Sequence, residues 1–188
     1  MRVGSAVDTK ECDKYCDQFL DEYWDIYDEN RQKTGRLHKR NQGRQNLSPG
    51  EYYLAVSVWI KNSAGLYLIS KRAAGPGKVY PHFWENTSGA ALAGDDSQTA
   101  ALREVKEELG LNLDPAKGRL MYQHKLTNMF RDVWLFNHEA DITEIVLQEG
   151  ETCDARWATT EEILDMVKNN TFVPVMDYAE QLFKDAVL

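Results

Sequence analysis

Apolar residues recur along this chain in two rhythms, and the elements they predict run from strands to a helix, back to strands and on to helices. Trp24-Asp-Ile-Tyr27, a polar turn from Asn30 to Thr34-Gly35 and the run Arg36-Leu37-His38 predict a hairpin. Tyr52 to Ile60 alternates in part and is rich in Val, Tyr and Trp; Asn62-Ser-Ala-Gly65 then turns it into Leu66-Tyr-Leu-Ile-Ser70. Both runs predict strands joined by a tight turn. Gly75-Pro-Gly77 and Pro81 mark a loop ahead of Phe83-Trp84. Further strands are expected at Arg119–Leu126, Asp132–Ala140 and Ala155–Trp157. Thr159-Thr-Glu-Glu162 reads as a capping box opening a helix to about Lys168, and Met176–Ala186 reads as a last helix. This order of elements indicates an α+β fold. Residues 1–20 are polar and acidic, expected to be disordered or a short helix, and residues 21–188 carry no repeat, low-complexity tract or linker. They are expected to be a single domain with the hairpin as an N-terminal extension.

The helix between the two groups of strands carries an unusual load. Ala101, Leu102, Val105 and Leu109 form its apolar side, while Glu104, Glu107 and Glu108 fall within about 100° of arc on the other. Like charges at these spacings destabilise a helix unless a cation sits among them. Hard carboxylate oxygens suit Mg²⁺ or Mn²⁺ better than a soft metal. Asp96 or Ser97 stands where a helix N-cap belongs, Gly110 where a left-handed C-cap belongs, and Gly89 and Gly94 punctuate the loop before it. A solvated acidic face is the plain alternative. The succession of glycine loop, helix and glycine stop favours the metal reading.

The whole string, Gly89 to Asp95 and then Arg103-Glu104-Val105-Lys106-Glu107-Glu108-Leu109-Gly110-Leu111, resembles the Nudix box, G-x5-E-x7-R-E-U-x-E-E-x-G-U with U aliphatic. Every fixed position matches except Asp95, which stands where the pattern has Glu. The resemblance covers about residues 50–170 and implies a Nudix-like α/β/α sandwich with a mixed sheet. It also implies a hydrolase that cleaves a diphosphate linkage in a nucleoside diphosphate derivative. Glu104, Glu107 and Glu108 are then expected to hold Mg²⁺ or Mn²⁺, and Arg103, four residues before Glu107, to orient them. Attack on phosphorus by a water that a carboxylate deprotonates follows from the same likeness. Catalytic roles thus fall to Glu104, Arg103, Asp95 and Glu107. Asp95 is one methylene short, so either its loop closes in or a water fills the gap.

The flanks are similar to the Nudix branch that includes isopentenyl diphosphate isomerase. The likeness lies in Trp24-Asp-Ile-Tyr-Asp-Glu through Gly35, Tyr52–Ile60, Lys71-Arg72-Ala73 and Trp84-Glu-Asn-Thr. That enzyme needs a cysteine where this chain has Ser88, a histidine where it has Ala90, and an acidic pair near Phe130-Arg-Asp132. A hydroxyl is a poor proton donor and acceptor at neutral pH, so the hydrolase is expected over the isomerase. A Nudix fold that only binds a nucleotide would predict a damaged glutamate helix.

Charge and cysteine content narrow the partners. A net charge of −8 and a pI near 5.0 argue against a nucleic-acid partner. The expected partner is a small phosphorylated, nucleotide-like molecule, whose negative charge an acidic protein meets through a bound cation. Cys12, Cys16 and Cys153 lack zinc-finger spacing and read as free thiols in a reducing compartment. With no signal-peptide or membrane-spanning run, a cytoplasmic setting without a membrane partner is expected. Arg72 and Lys78 flank the Gly-Pro-Gly loop and are candidate phosphate contacts; Glu149 and Glu151, before the Trp157 strand, are candidate base or metal ligands. His38, His82, His124 and His138 form no close pair. Tyr52, Tyr53, Trp59 and Trp84 read mostly as core.

Overall fold

A computed structural model describes residues 22–75, 78–174 and 178–186. The expectations for residues 1–20 with Cys12 and Cys16, for Pro76 and Gly77, and for Met176 at the head of the last helix lie outside the described residues. The predicted hairpin forms as β1 (Tyr23–Tyr27) and β2 (Lys33–Lys39), turning through Arg31 at φ 62°. β3 (Tyr53–Lys61) folds back through Gly65 into β4 (Tyr67–Arg72). Two short strands follow, β5 (Trp84–Glu85) and β6 (Thr87–Ala90), then α1 (Ser97–Leu109). The alternation rule does not find β5 and β6, because they are brief, split by Asn86 and end in a glycine-bearing segment. The chain continues as β7 (Gly118–Lys125), β8 (Met129–Asn137), β9 (Thr152–Ala158), α2 (Thr160–Lys168) and α3 (Ala179–Asp185). β8 starts earlier than the expected Asp132, since Met129 and Phe130 are already buried against β3.

The sheet runs β5-β4-β3-β8-β7, with β6 also on β3 and β9 on β4. β3 and β8 lie parallel, Tyr53 opposite Met129 through Lys61 opposite Asn137, while the other described pairs are antiparallel. The sheet is therefore mixed. β3 is buried on both faces, and its period of two divides the core. Leu54, Val56, Val58 and Ile60 pack with Ala100, Ala101, Val105 and Leu109 of α1. Trp59 joins Tyr67, Ile69 and Val133 against Ile163 of α2 and Leu182 and Phe183 of α3. Helices on opposite faces of one mixed sheet give the α+β, α/β/α sandwich. Leu102, expected in the core, is only partly buried at its edge. Among the described residues no helix is long and apolar enough to cross a membrane.

The hairpin is anchored to this sheet and to the loop ahead of α1. Tyr27 and Tyr52 exchange backbone hydrogen bonds at 2.8 and 2.9 Å, and Trp24 stacks on Tyr53 with ring centroids 4.3 Å apart. Arg31 forms an ion pair with Asp132 on β8, whose side chain is 1% exposed. Asp25 Oδ2 accepts from the Gly94 amide at 2.9 Å, so β1 braces the turn that leads into α1.

Candidate functional site

Local signals set α1 in place. Asp96 is the N-cap, accepting from the Thr99 amide at 2.7 Å, and Gly110 closes the helix at φ 72°. Ser97, the other cap candidate, instead accepts a hydrogen bond from Trp134 Nε1 at 2.8 Å. With Ala100, Ala101, Val105 and Leu109 sunk in the core, the glutamates turn toward a cleft of about 470 Å³. Glu104, Glu107 and Glu108 line it together with Glu22, Arg40, Arg72, Glu149 and Glu151. None of His38, His82, His124 and His138 does.

Gly89 and Glu104 are fitted to each other. A Cβ at Gly89 would stand 2.0 Å from Glu104 Cδ and 2.2 Å from both its oxygens. Only a residue without a side chain admits the carboxylate here, which gives the first fixed position of the box its physical reason. Arg103 is the hub beside it. Its Nη1 reaches Glu107 at 2.9 Å, the expected i, i+4 contact, and its Nη2 donates to the Ala90 carbonyl at 2.8 Å. Its Nε donates to Asp95 Oδ2 at 3.2 Å, and the same oxygen accepts from the Leu92 amide. The shorter acid thus reaches the helix directly, which is the outcome in which the loop closes in.

The electrostatics are those of a site short of positive charge. Glu104 Oε1 lies 3.0 Å from Arg103 Nη1 yet no donor is aligned on it, and Glu108 Oε2 is also buried without a hydrogen-bond partner. Burial pushes the Glu104 carboxyl above its ordinary pKa, against the pull of Arg103. Burial pushes Glu108 much further, with Glu85, Glu104 and Glu151 adding repulsion and Arg72 opposing it. Burial alone would lower Arg103, but Glu104, Glu107 and Asp95 outweigh it and hold the guanidinium more firmly charged. Among the described residues no three acids converge on one point as in a closed metal centre; Arg103 engages Glu104 and Glu107 instead. Still, buried hard oxygens that lack donors and repel one another fit a divalent cation.

Three of the other candidates, Arg72, Lys78 and Glu151, already have side-chain partners. Arg72 holds both oxygens of Glu85 at 2.8 Å and the Val79 carbonyl at 2.9 Å. Lys78 forms an ion pair with Glu151. The loop bearing Glu149 and Glu151 is clipped to the end of α1, since the Val146 amide donates to the Leu109 carbonyl at 3.0 Å and the Gln148 amide to that of Glu108 at 3.1 Å. Sequence reasoning missed Glu85 and Arg40. The signal for Glu85 was an acid between Trp84 and Asn86 in a stretch otherwise bound for the core; for Arg40 it was the basic pair that ends the hairpin.

This arrangement agrees with the comparisons with known proteins. The NUDIX domain model matches residues 51–178. The chain belongs to the Nudix family. Among its Nudix relatives is an uncharacterized Nudix hydrolase of Listeria monocytogenes, 36% identical over 159 residues, covering 84% of this chain and 91% of that protein. Isopentenyl-diphosphate Delta-isomerase of Shigella flexneri is 34% identical over only 64 residues, about a third of each protein. Among solved structures, a Deinococcus radiodurans protein superposes with a TM-score of 0.68 over 87% of this chain and 98% of its own, at 22% identity, which bears on the fold alone.

Proposed function

We propose that this Nudix protein is a hydrolase that cleaves a diphosphate linkage in a nucleoside diphosphate derivative, with Mg²⁺ or Mn²⁺ as its cation. The observation that carries the reading is the crowding of the buried Glu104 and Glu108 carboxylates beside the Gly89 cradle, with Glu108 Oε2 lacking any hydrogen-bond partner. Glu104, Glu107 and Glu108 would hold the cation, which neutralises diphosphate charge and polarises the phosphoryl group when bound. Arg103 orients Glu104 and Glu107, and Asp95 in turn holds Arg103. A carboxylate of this group takes the proton of the attacking water. Arg72 and Arg40 supply positive charge on the cleft wall, with Lys78 and Glu151 beside them on the substrate side. The exposed free thiol of Cys153 suits a reducing, cytoplasmic setting.

An isomerase lacks its machinery here. Ser88 is exposed without a thiol, and Ala90 is buried with nothing to titrate. A binding-only domain gives no reason for an acid helix this complete.

The test is a diphosphate-cleavage screen with Mg²⁺ and with Mn²⁺, its products separated by chromatography, over nucleoside di- and triphosphates, dinucleotides, sugar nucleotides and ADP-ribose. Cleavage of at least one class is expected, abolished by a chelator, with no allylic product from isopentenyl diphosphate. No cation-dependent cleavage of any compound would end the proposal.

A further inference from the structure

Glu85 is a buried acid with no place on the cleft wall, yet it holds a residue that has one. It sits on β5 opposite Ser70 of β4 and is 8% exposed. Arg72, at the end of β4, lines the acidic cleft, and Glu85 does not. Two nitrogens of the Arg72 guanidinium are taken up by the protein. Nη1 reaches both Glu85 oxygens at 2.8 Å, and Nε donates to the Val79 carbonyl at 2.9 Å. Nη2, with its two N–H groups, meets no acceptor among the described residues, and the side chain is a quarter exposed. The turn that supplies the Val79 carbonyl is strained. Tyr80 at φ 57° and His82 at φ 63° are left-handed without being glycines, a conformation that persists only where the surroundings hold it. Here Arg72 holds it, since its carbonyl accepts from the His82 amide and its amide donates to the Phe83 carbonyl, both at 3.0 Å.

Resting on the hydrolase reading, we infer that Glu85 is a positioning residue: together with the Val79 carbonyl it locks the Arg72 guanidinium so that Nη2 is presented to the substrate diphosphate. An arginine left loose in a cleft loses rotamer freedom when it grips an anion, whereas here that ordering is built into the fold. The lock also explains an acid that charge alone does not. Glu85 adds to the repulsion on Glu108, which Arg72 relieves, so the fold keeps a further carboxylate beside a site already crowded with them. Holding Arg72 in one orientation is what that carboxylate does. A lysine at position 72 has a single nitrogen and cannot hold Glu85, the Val79 carbonyl and a phosphate in one rigid fork.

The probe is imidodiphosphate, a diphosphate whose bridging nitrogen resists hydrolysis, with saturating Mg²⁺; its binding is measured by calorimetry. Glu85→Gln keeps the shape of the side chain but replaces one of the two accepting oxygens by a donor amide. By charge alone, removing an acid beside the cleft should tighten the binding of an anion. Acting through Arg72 it should weaken it, and a rise in Kd of about tenfold is expected, the scale of one charge-assisted contact. Glu85→Asp keeps the charge but shortens the reach, and should shift Kd in the same direction. Arg72→Lys should weaken binding at least as much as Glu85→Gln, and in that background Glu85→Gln should add less than about twofold. Unchanged or tighter binding by both Glu85 variants, or the same loss from Glu85→Gln in both backgrounds, would overturn the positioning role and leave the hydrolase reading standing. A wild-type protein that binds no imidodiphosphate in the presence of Mg²⁺ would overturn both.

Discussion

At Gly89 a single hydrogen in place of a side chain decides where Glu104 sits. Gly89→Ala would bring a Cβ to 2.0 Å from the carboxylate, and the carboxylate must leave. Turnover in the diphosphate-cleavage assay should fall at least about a hundredfold, as for loss of a metal-organising ligand, and Glu108→Gln should do the same. Wild-type turnover from Gly89→Ala at saturating cation would remove Glu104 from the proposed machinery. Asp95 makes a finer case, because it reaches Arg103 without a bridging water. Asp95→Glu should therefore change kcat by less than about tenfold, while Asp95→Ala, which strips the acceptor from Arg103, should cost more. The opposite ranking would refute this account. The identity of every residue in this chain of contacts was legible from the box pattern. That Asp95 makes its contact directly was not, since it depends on how the turn from Ala90 to Gly94 is braced by Asp25 from a distant strand.

Elements with their own stop and start signals were the readable ones. α1 announced itself through Asp96, the apolar period and Gly110, and α2 through Thr159 and Glu162, whose reciprocal capping bonds both form. β5 and β6 were not readable, because two- and four-residue strands borrow their order from β4 and β3 rather than from their own pattern. The hairpin was legible as two strands, but not its clasp. Arg31 pairs with Asp132 across the molecule and lies 5.3 Å over the Phe130 ring. Removing the cation leaves a carboxylate buried without its partner, so Arg31→Ala should destabilise the fold by roughly 3 kcal/mol. For a chain of this size that is a fall of about 6–12 °C in Tm. A Tm within a degree of wild type would mean that Gln123, the other neighbour of Asp132, suffices alone.

For the molecule as a whole, the crowded acids tie stability to pH and to cations. Glu85, Glu104 and Glu108 titrate above the ordinary value of 4.5, burial being the main cause in each. The native chain therefore binds more protons than the unfolded one as pH rises from there, and these three groups lose stability through that rise. Asp25 and Asp96, held below 3.8, have finished titrating before this window opens. In chelator, Tm should thus be lower at pH 7.5 than at pH 5.5. Mn²⁺ or Mg²⁺ at about a hundred times its Kd should then restore about 2.7 kcal/mol at the higher pH, roughly 5–10 °C, and less at the lower. Glu104→Gln combined with Glu108→Gln should flatten both responses in scanning fluorimetry. An equal cation shift at both pH values would sink the link. The parallel pairing of β3 with β8 has a consequence of another kind. Tyr53 meets Met129 only after β4, both short strands, α1 and β7 have been made. Closing so long a loop is slow and entropically costly, so during synthesis the carboxylate helix waits beside an unfinished sheet until β8 leaves the ribosome. Gly89, Arg103 and Glu104 all precede β8, but the core on which their helix rests is closed only when Phe130 and Phe136 arrive with that last central strand.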